Sequence, residues 1–90
     1  MYALAELAYK QGSYTDAAAM FNRILAQHPK DPKWLLPGTY VRLGQVYEAQ
    51  KEKEAARRSY EKALDTEFIA SDDKNFAKRA LREIAQNKAS

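Results

Sequence analysis

The chain repeats itself, and that limits the fold more than any other feature of it. A shift of 39 residues superposes Leu4 on Leu43, Gly12 on Lys51, Ala17 on Ala56, Phe21 on Tyr60 and Leu25 on Leu64. So many coincidences at one shift are hard to obtain by chance. Periods of roughly 20–50 residues mark architectures in which one supersecondary unit cannot cover its own apolar face and stacks on the next. Any fold for this chain must therefore bring two similar units side by side.

Each unit reads as two helices, because the apolar residues recur with a period near 3.6 throughout. The first stretch runs from about Tyr2 to Gln11, and Gly12, comfortable at positive φ, ends it. Ser13 is expected as the N-cap of the second helix, with Asp16 completing a short-armed capping box. That helix carries Ala17, Met20, Phe21, Ile24 and Leu25 at core spacing and stops before Pro29. Lys30 to Leu36 is an irregular connection holding Asp31-Pro32 and the only tryptophan, Trp34. Pro37 fits the first turn of a third helix that reaches about Gln50. A fourth presents Ala56, Tyr60, Ala63 and Leu64. A fifth, expected to be capped by Asp72 or Asp73, carries Phe76, Ala77, Ala80, Leu81, Ile84 and Ala85. Three Gly and three Pro in 90 residues suit such a helical chain, and 46% apolar against 30% charged residues suits a folded one.

The second unit reads Tyr40-x-x-Leu43-Gly44-x-x-Tyr47 and then Ala56-x-x-x-Tyr60-x-x-Ala63, and the first keeps Ala17-x-x-x-Phe21 with Pro29 eight residues on. These residues resemble the signature of the tetratricopeptide repeat, a helix–turn–helix unit of about 34 residues. The resemblance covers about Met1 to Phe68 and implies an all-α, right-handed α-solenoid of antiparallel helix pairs with five helices. It implies one domain over 1–90: a first repeat at 1–29, truncated at its start, a second at 30–68, and a capping helix at 72–88. Small residues at Gly44, Ala17, Ala56 and Ala63 would let the A and B helices of a pair approach, while Phe21, Tyr47 and Tyr60 fill the space between pairs. About five residues are inserted between Pro29 and Tyr40, expected to lengthen the start of the third helix. Lys51 replaces the turn glycine, and Phe68 stands where the family has a terminal proline. The last helix is expected to follow as an A helix, with Ala77, Ala80, Leu81 and Ile84 at the positions of Tyr40, Leu43, Gly44 and Tyr47. The chain is read as the C-terminal end of a longer array.

Residues for catalysis are sparse. Cysteine is absent, which removes disulfides and thiolate chemistry. The single histidine, His28, reads as a solvated helix-end residue, and Asp72-Asp73 as helix capping. No glycine-rich phosphate loop and no metal-ligand spacing occurs, so the expectation is a non-enzyme with no cofactor and no metal. No apolar run approaches a membrane span. Net charge is +3, spread over both halves, which argues against a nucleic-acid module.

Family resemblance implies a ligand groove lined by A helices. Carried over position by position, it names Tyr2, Glu6 and Tyr9 from the first helix and Val41, Arg42, Gln45 and Glu48 from the third. The fifth would add Asn75, Lys78, Arg79 and Arg82. Arg42 with Lys78, Arg79 and Arg82 would make one wall basic, suited to an acidic peptide. The leading reading is a protein–protein interaction scaffold that binds a peptide or helix in this groove. The alternative is a structural or self-associating piece that pairs through its first helix, with a nucleic-acid-binding helical repeat in third place.

Overall fold

Two residues at positive φ, 39 positions apart, close the two hairpins of the fold. In the computed structural model, which describes residues 1–87, Gly12 has φ of 83° and Lys51 of 62°. The hydrogen bonds around them are equivalent: Ser13 N–H donates to Ala8 O at 2.9 Å and Glu52 N–H to Tyr47 O at 2.8 Å. This is the six-to-one bond of a Schellman ending, which satisfies a carbonyl that the finished helix leaves orphaned. The 39-residue repeat thus extends to the backbone of the turns. Lys51 adopts the left-handed conformation despite its Cβ, at a cost of about 1 kcal/mol relative to glycine.

Five helices result: α1 (Tyr2–Lys10), α2 (Tyr14–Ala26), α3 (Leu35–Ala49), α4 (Lys53–Leu64) and α5 (Ser71–Asn87). The described residues contain no strand. The inserted residues do lengthen the third helix, since α3 begins at Leu35 and has 15 residues against nine in α1. Thr39, in this added turn, is buried and donates its hydroxyl to Leu35 O at 2.6 Å. Two capping expectations are corrected. Ser13 is the N-cap of α2 but makes no side-chain cap bond. Helix α5 starts one residue before Asp72, so both acids lie inside its first turn, where their charge still suits the positive helix end. Lys88, the last residue expected in that helix, lies outside the described residues.

Neighbouring helices pair in sequence order, α1 with α2, α2 with α3, α3 with α4 and α4 with α5. The odd helices also touch, α1 on α3 and α3 on α5, whereas α2 and α4 do not. The even helices therefore splay apart on the outside, and the sheaf curves with α1, α3 and α5 on its inner, concave side. Two clusters hold it together. Ala5, Ala8, Ala17, Phe21, Ile24, Leu43 and Val46 form the first, which locks α1 and α2 onto α3. Val41, Ala56, Tyr60, Ala63, Ala77 and Ala80 form the second, between α3, α4 and α5. Ala17 and Ala56 are both fully buried, as the repeat demands. Gly44 shows why a small residue is required in α3: a Cβ there would lie 2.6 Å from a ring carbon of the buried Tyr60. Tyr47 is only half-buried; it packs against both clusters and accepts a hydrogen bond from Asn22 Nδ2 on its hydroxyl at 3.3 Å.

The register of α5 differs from the expected one by about a turn. Arg42 reaches Glu6 on one side and Asp73 on the other. In the 39-residue repeat Glu6 matches Gln45, three positions beyond Arg42. An offset of 34 makes Asp73 match Thr39, three positions before Arg42, so the stagger is equal at both junctions. That offset also puts buried Ala77 and Ala80 on buried Leu43 and Val46. Lys78 then corresponds to Gly44, which faces the B helix of its own pair; no described helix lies there for Lys78 to meet.

Candidate functional site on the concave face

The centre of the inner face is Arg42. Its Nε donates to Glu6 Oε2 at 3.1 Å, its Nη1 donates to Gln45 Oε1 at 3.2 Å, and the same Nη1 stands 3.9 Å from Asp73 Oδ1. One guanidinium thus ties α1, α3 and α5 together. Burial works against its charge, but Tyr2, Glu6 and Asp73 outweigh burial and hold its pKa above the ordinary value. Both ends of the Glu6 pair keep about a third of their side-chain surface in water, so the pair contributes on the order of 1 kcal/mol.

Beside Arg42 lie two connected hollows. One, of about 290 Å³, is lined by Glu6, Tyr9, Lys10, Phe21, Arg42 and Gln45. The other, of about 280 Å³, is lined by Tyr9, Gln45, Glu48, Ala49 and Phe76. They share Tyr9 and Gln45, so they form one groove running from α1 across α3 to α5. Phe76 is 38% exposed on the far bank, its ring tilted against that of Tyr60 with centroids 6.1 Å apart. Tyr60, buried beside Phe76, donates its hydroxyl to the Glu48 carboxylate. Burial, and then the hydrogen bond to Glu48 and the charge of that carboxylate, push the Tyr60 phenol well above its ordinary pKa, so it stays a neutral donor. Burial likewise raises the Tyr2 phenol, against the opposing pull of Arg42. Tyr2 closes the other end of the face, edge-on to Phe21 at 5.7 Å and to Trp34 at 5.3 Å. Trp34 therefore packs as well as showing 48% of its surface.

The structure brings Tyr2, Glu6, Tyr9, Arg42 and Gln45 together and leaves Lys78, Arg79 and Arg82 apart from them. On a 3.6-residue helix the face of α5 toward the core passes through Asp73, Ala77, Ala80 and Ile84. Arg79 falls on the groove flank between Phe76 and Glu83, whereas Lys78 and Arg82 project from the side away from Arg42. No described contact joins any of the three to Arg42, which is already neutralised by carboxylates. The continuous basic wall is replaced by an internal ion cluster and a separate basic stripe, Lys74, Lys78 and Arg82, one turn apart on the exposed side of α5. Val41 is also displaced from the groove, being fully buried in the second cluster. Asp73 and Phe76 enter the site instead. The signal for both was the 34-residue offset, which matches Phe76 to Arg42.

Two further hollows lie elsewhere. A wedge of about 450 Å³ opens on the outer side between α2 and α4, with Leu25, Leu43, Arg58 and Lys62 among its lining. A shallow basin of about 460 Å³ sits between the loops after α2 and α4, with Leu36, Pro37 and Phe68 on its floor. Among the described residues no three His, Cys, Asp or Glu side chains gather as they would around a metal ion. No described helix is long and apolar enough to cross a membrane.

A family model described as tetratricopeptide repeat matches residues 2–74. No curated protein and no solved structure matches the chain.

Proposed function

The chain belongs to the tetratricopeptide repeat family, whose repeats generally mediate protein–protein interaction, and from that premise we propose that its concave face is where a partner is held. On this reading it is a scaffold without chemistry of its own. The observation that carries the reading is the shared lining of the two inner hollows: Tyr9 and Gln45 belong to both, so one extended segment can lie across α1, α3 and α5. Tyr9 and Phe76 supply apolar area on the two banks, and aromatic anchors of this kind carry much of the energy at interfaces. Gln45 offers an amide for the backbone of the segment. Arg42 acts as a strut that fixes the spacing of the three helices, since its Nε and Nη1 are already engaged with Glu6, Gln45 and Asp73. An acidic stretch of the same partner would find its charge complement on the exposed side of α5, at Lys74, Lys78 and Arg82, where contacts are solvated and salt-sensitive.

The test is selection of a random peptide library on the immobilised chain, with counter-selection on a Tyr9→Ser/Phe76→Ser variant. Enrichment of peptides that bind the chain and fail on the variant supports the groove. Peptides that bind both equally would remove it.

A further inference from the structure

The outer wedge between α2 and α4, of about 450 Å³, joins carbon surface to positive charge, and no carboxylate lines it. Leu25, Tyr40, Leu43 and Tyr47 supply the carbon surface, and Arg58 and Lys62 the charge. The two cations are four residues apart and share one face of α4. Arg57 on the neighbouring face takes both Glu54 and Glu61. Lys62 Nζ lies 5.9 Å from the centroid of the Tyr40 ring, which brings the ammonium against a second lining residue. The Tyr47 hydroxyl accepts from Asn22 Nδ2 at 3.3 Å, so its own proton is left to donate. Both helices that frame the wedge are within the fold and it opens outward, so a further repeat stacked on α1 or α5 would leave it open.

We propose that this wedge is a second binding site, separate from the concave groove, for a peptide segment that carries a large apolar side chain beside an Asp or Glu. The apolar side chain packs on Leu25, Tyr40 and Leu43, and the carboxylate meets Arg58 and Lys62. The Tyr47 hydroxyl can donate to a backbone carbonyl of the same segment. Charge complementarity carries the choice of occupant: two cations and no acid call for a negative group, and the carbon surface beside them calls for an apolar neighbour to it. A nucleic-acid backbone fits less well, because its affinity rests on many phosphate contacts rather than two. Arg58 and Lys62 are exposed, so the charge orients the segment and makes its binding salt-sensitive.

The probe is a library of short Gly/Ser peptides, each with one Leu, Ile, Phe or Tyr beside one Asp or Glu, selected on the immobilised full chain at low salt. A control library carries Asn and Gln in place of Asp and Glu. The expected result is enrichment from the acidic library alone, with the best peptide shifting the amides of Leu25, Tyr40, Tyr47 and Arg58 in isotopically labelled protein. Its affinity should fall at least tenfold in Arg58→Glu/Lys62→Glu and stay unchanged in Tyr9→Ser/Phe76→Ser, which separates this site from the groove. Because Arg58 and Lys62 are exposed, the double variant keeps its fold, which circular dichroism checks; the shift map on the natural chain is independent of it. No enrichment over the control library, equal binding by Arg58→Glu/Lys62→Glu, or shifts confined to Tyr9 and Phe76 or to Lys74, Lys78 and Arg82 would overturn the proposal. So would oligouridine that shifts the wedge residues and binds more tightly than any selected peptide.

Discussion

Replacing Gly44 with alanine sets two well-defined effects against each other. In a helix interior alanine is favoured over glycine by roughly 1 kcal/mol, so on propensity alone the variant gains stability. Packing opposes this. The new Cβ would lie 2.6, 2.7 and 2.8 Å from three ring atoms of Tyr60. Comfortable carbon contacts lie at about 3.5–4.0 Å. The ring must therefore retreat by about 1 Å, and it is fully buried, with Phe76 beside it and its hydroxyl bound to Glu48. Overpacking of this kind costs about 1–3 kcal/mol, and a hydrogen bond to a charged group is worth about 1.5–3 kcal/mol if it is lost outright. Packing wins, and the net expectation is a destabilisation of about 1–2 kcal/mol. For a domain of this size that is a fall in Tm of roughly 4–16 °C. Thermal and urea melts followed at 222 nm measure it. In a Tyr60→Leu background the shorter side chain clears the new methyl, so Gly44→Ala should there raise stability by up to about 1 kcal/mol. A neutral or stabilising Gly44→Ala in the natural sequence would refute the packing argument and, with it, the close approach of α3 and α4.

Three other outcomes follow from the same geometry. Lys51→Gly removes a Cβ from a left-handed residue at φ 62° and should raise stability by about 0.5–1 kcal/mol in urea melts, whereas Gly12→Ala should lower it by a similar amount. The folded-state pKa of Tyr60 lies above its unfolded value, so its contribution is complete below pH about 10 and is lost as pH rises beyond that. Urea midpoints across pH 8–11 should therefore fall less steeply in Tyr60→Phe than in the natural chain. Lys78→Glu/Arg82→Glu should weaken an acidic partner at low salt and flatten its salt dependence while leaving groove-selected apolar peptides unaffected, as titrations at two ionic strengths will show.

Much of the architecture was legible because small and large residues alternate at fixed offsets. Ala17, Gly44, Ala56 and Ala63 announce close helix approach, Phe21 and Tyr60 announce what fills the space beyond, and Gly12 marks a turn whose partner at Lys51 is found by the repeat alone. The register of α5 was harder to read for a simple reason. Offsets of 34 and 37 differ by three residues, close to one helical turn, so an apolar stripe nearly superposes on itself and periodicity cannot separate them. The stagger of Glu6, Arg42 and Asp73 separates them, and it exists only once the helices are in place. The same distance in sequence hid the neutralisation of Arg42, whose carboxylate partners lie 36 residues before it and 31 after. Phe76 looked like core because it is large and apolar, but it sits at the edge of the buried face, where a helix turns its side chains toward the groove.

Where a bound segment lies on the inner face is open to one measurement. The strongest peptide from the library selection is titrated into isotopically labelled protein, and backbone amide shifts are mapped residue by residue. The groove account predicts saturating shifts at Tyr9, Gln45, Glu48 and Phe76, drawn from three helices by a single ligand at a single affinity. Shifts confined to the outer wedge, at Asn22, Leu25, Arg58 and Lys62, with Tyr9 and Phe76 unmoved, would contradict it.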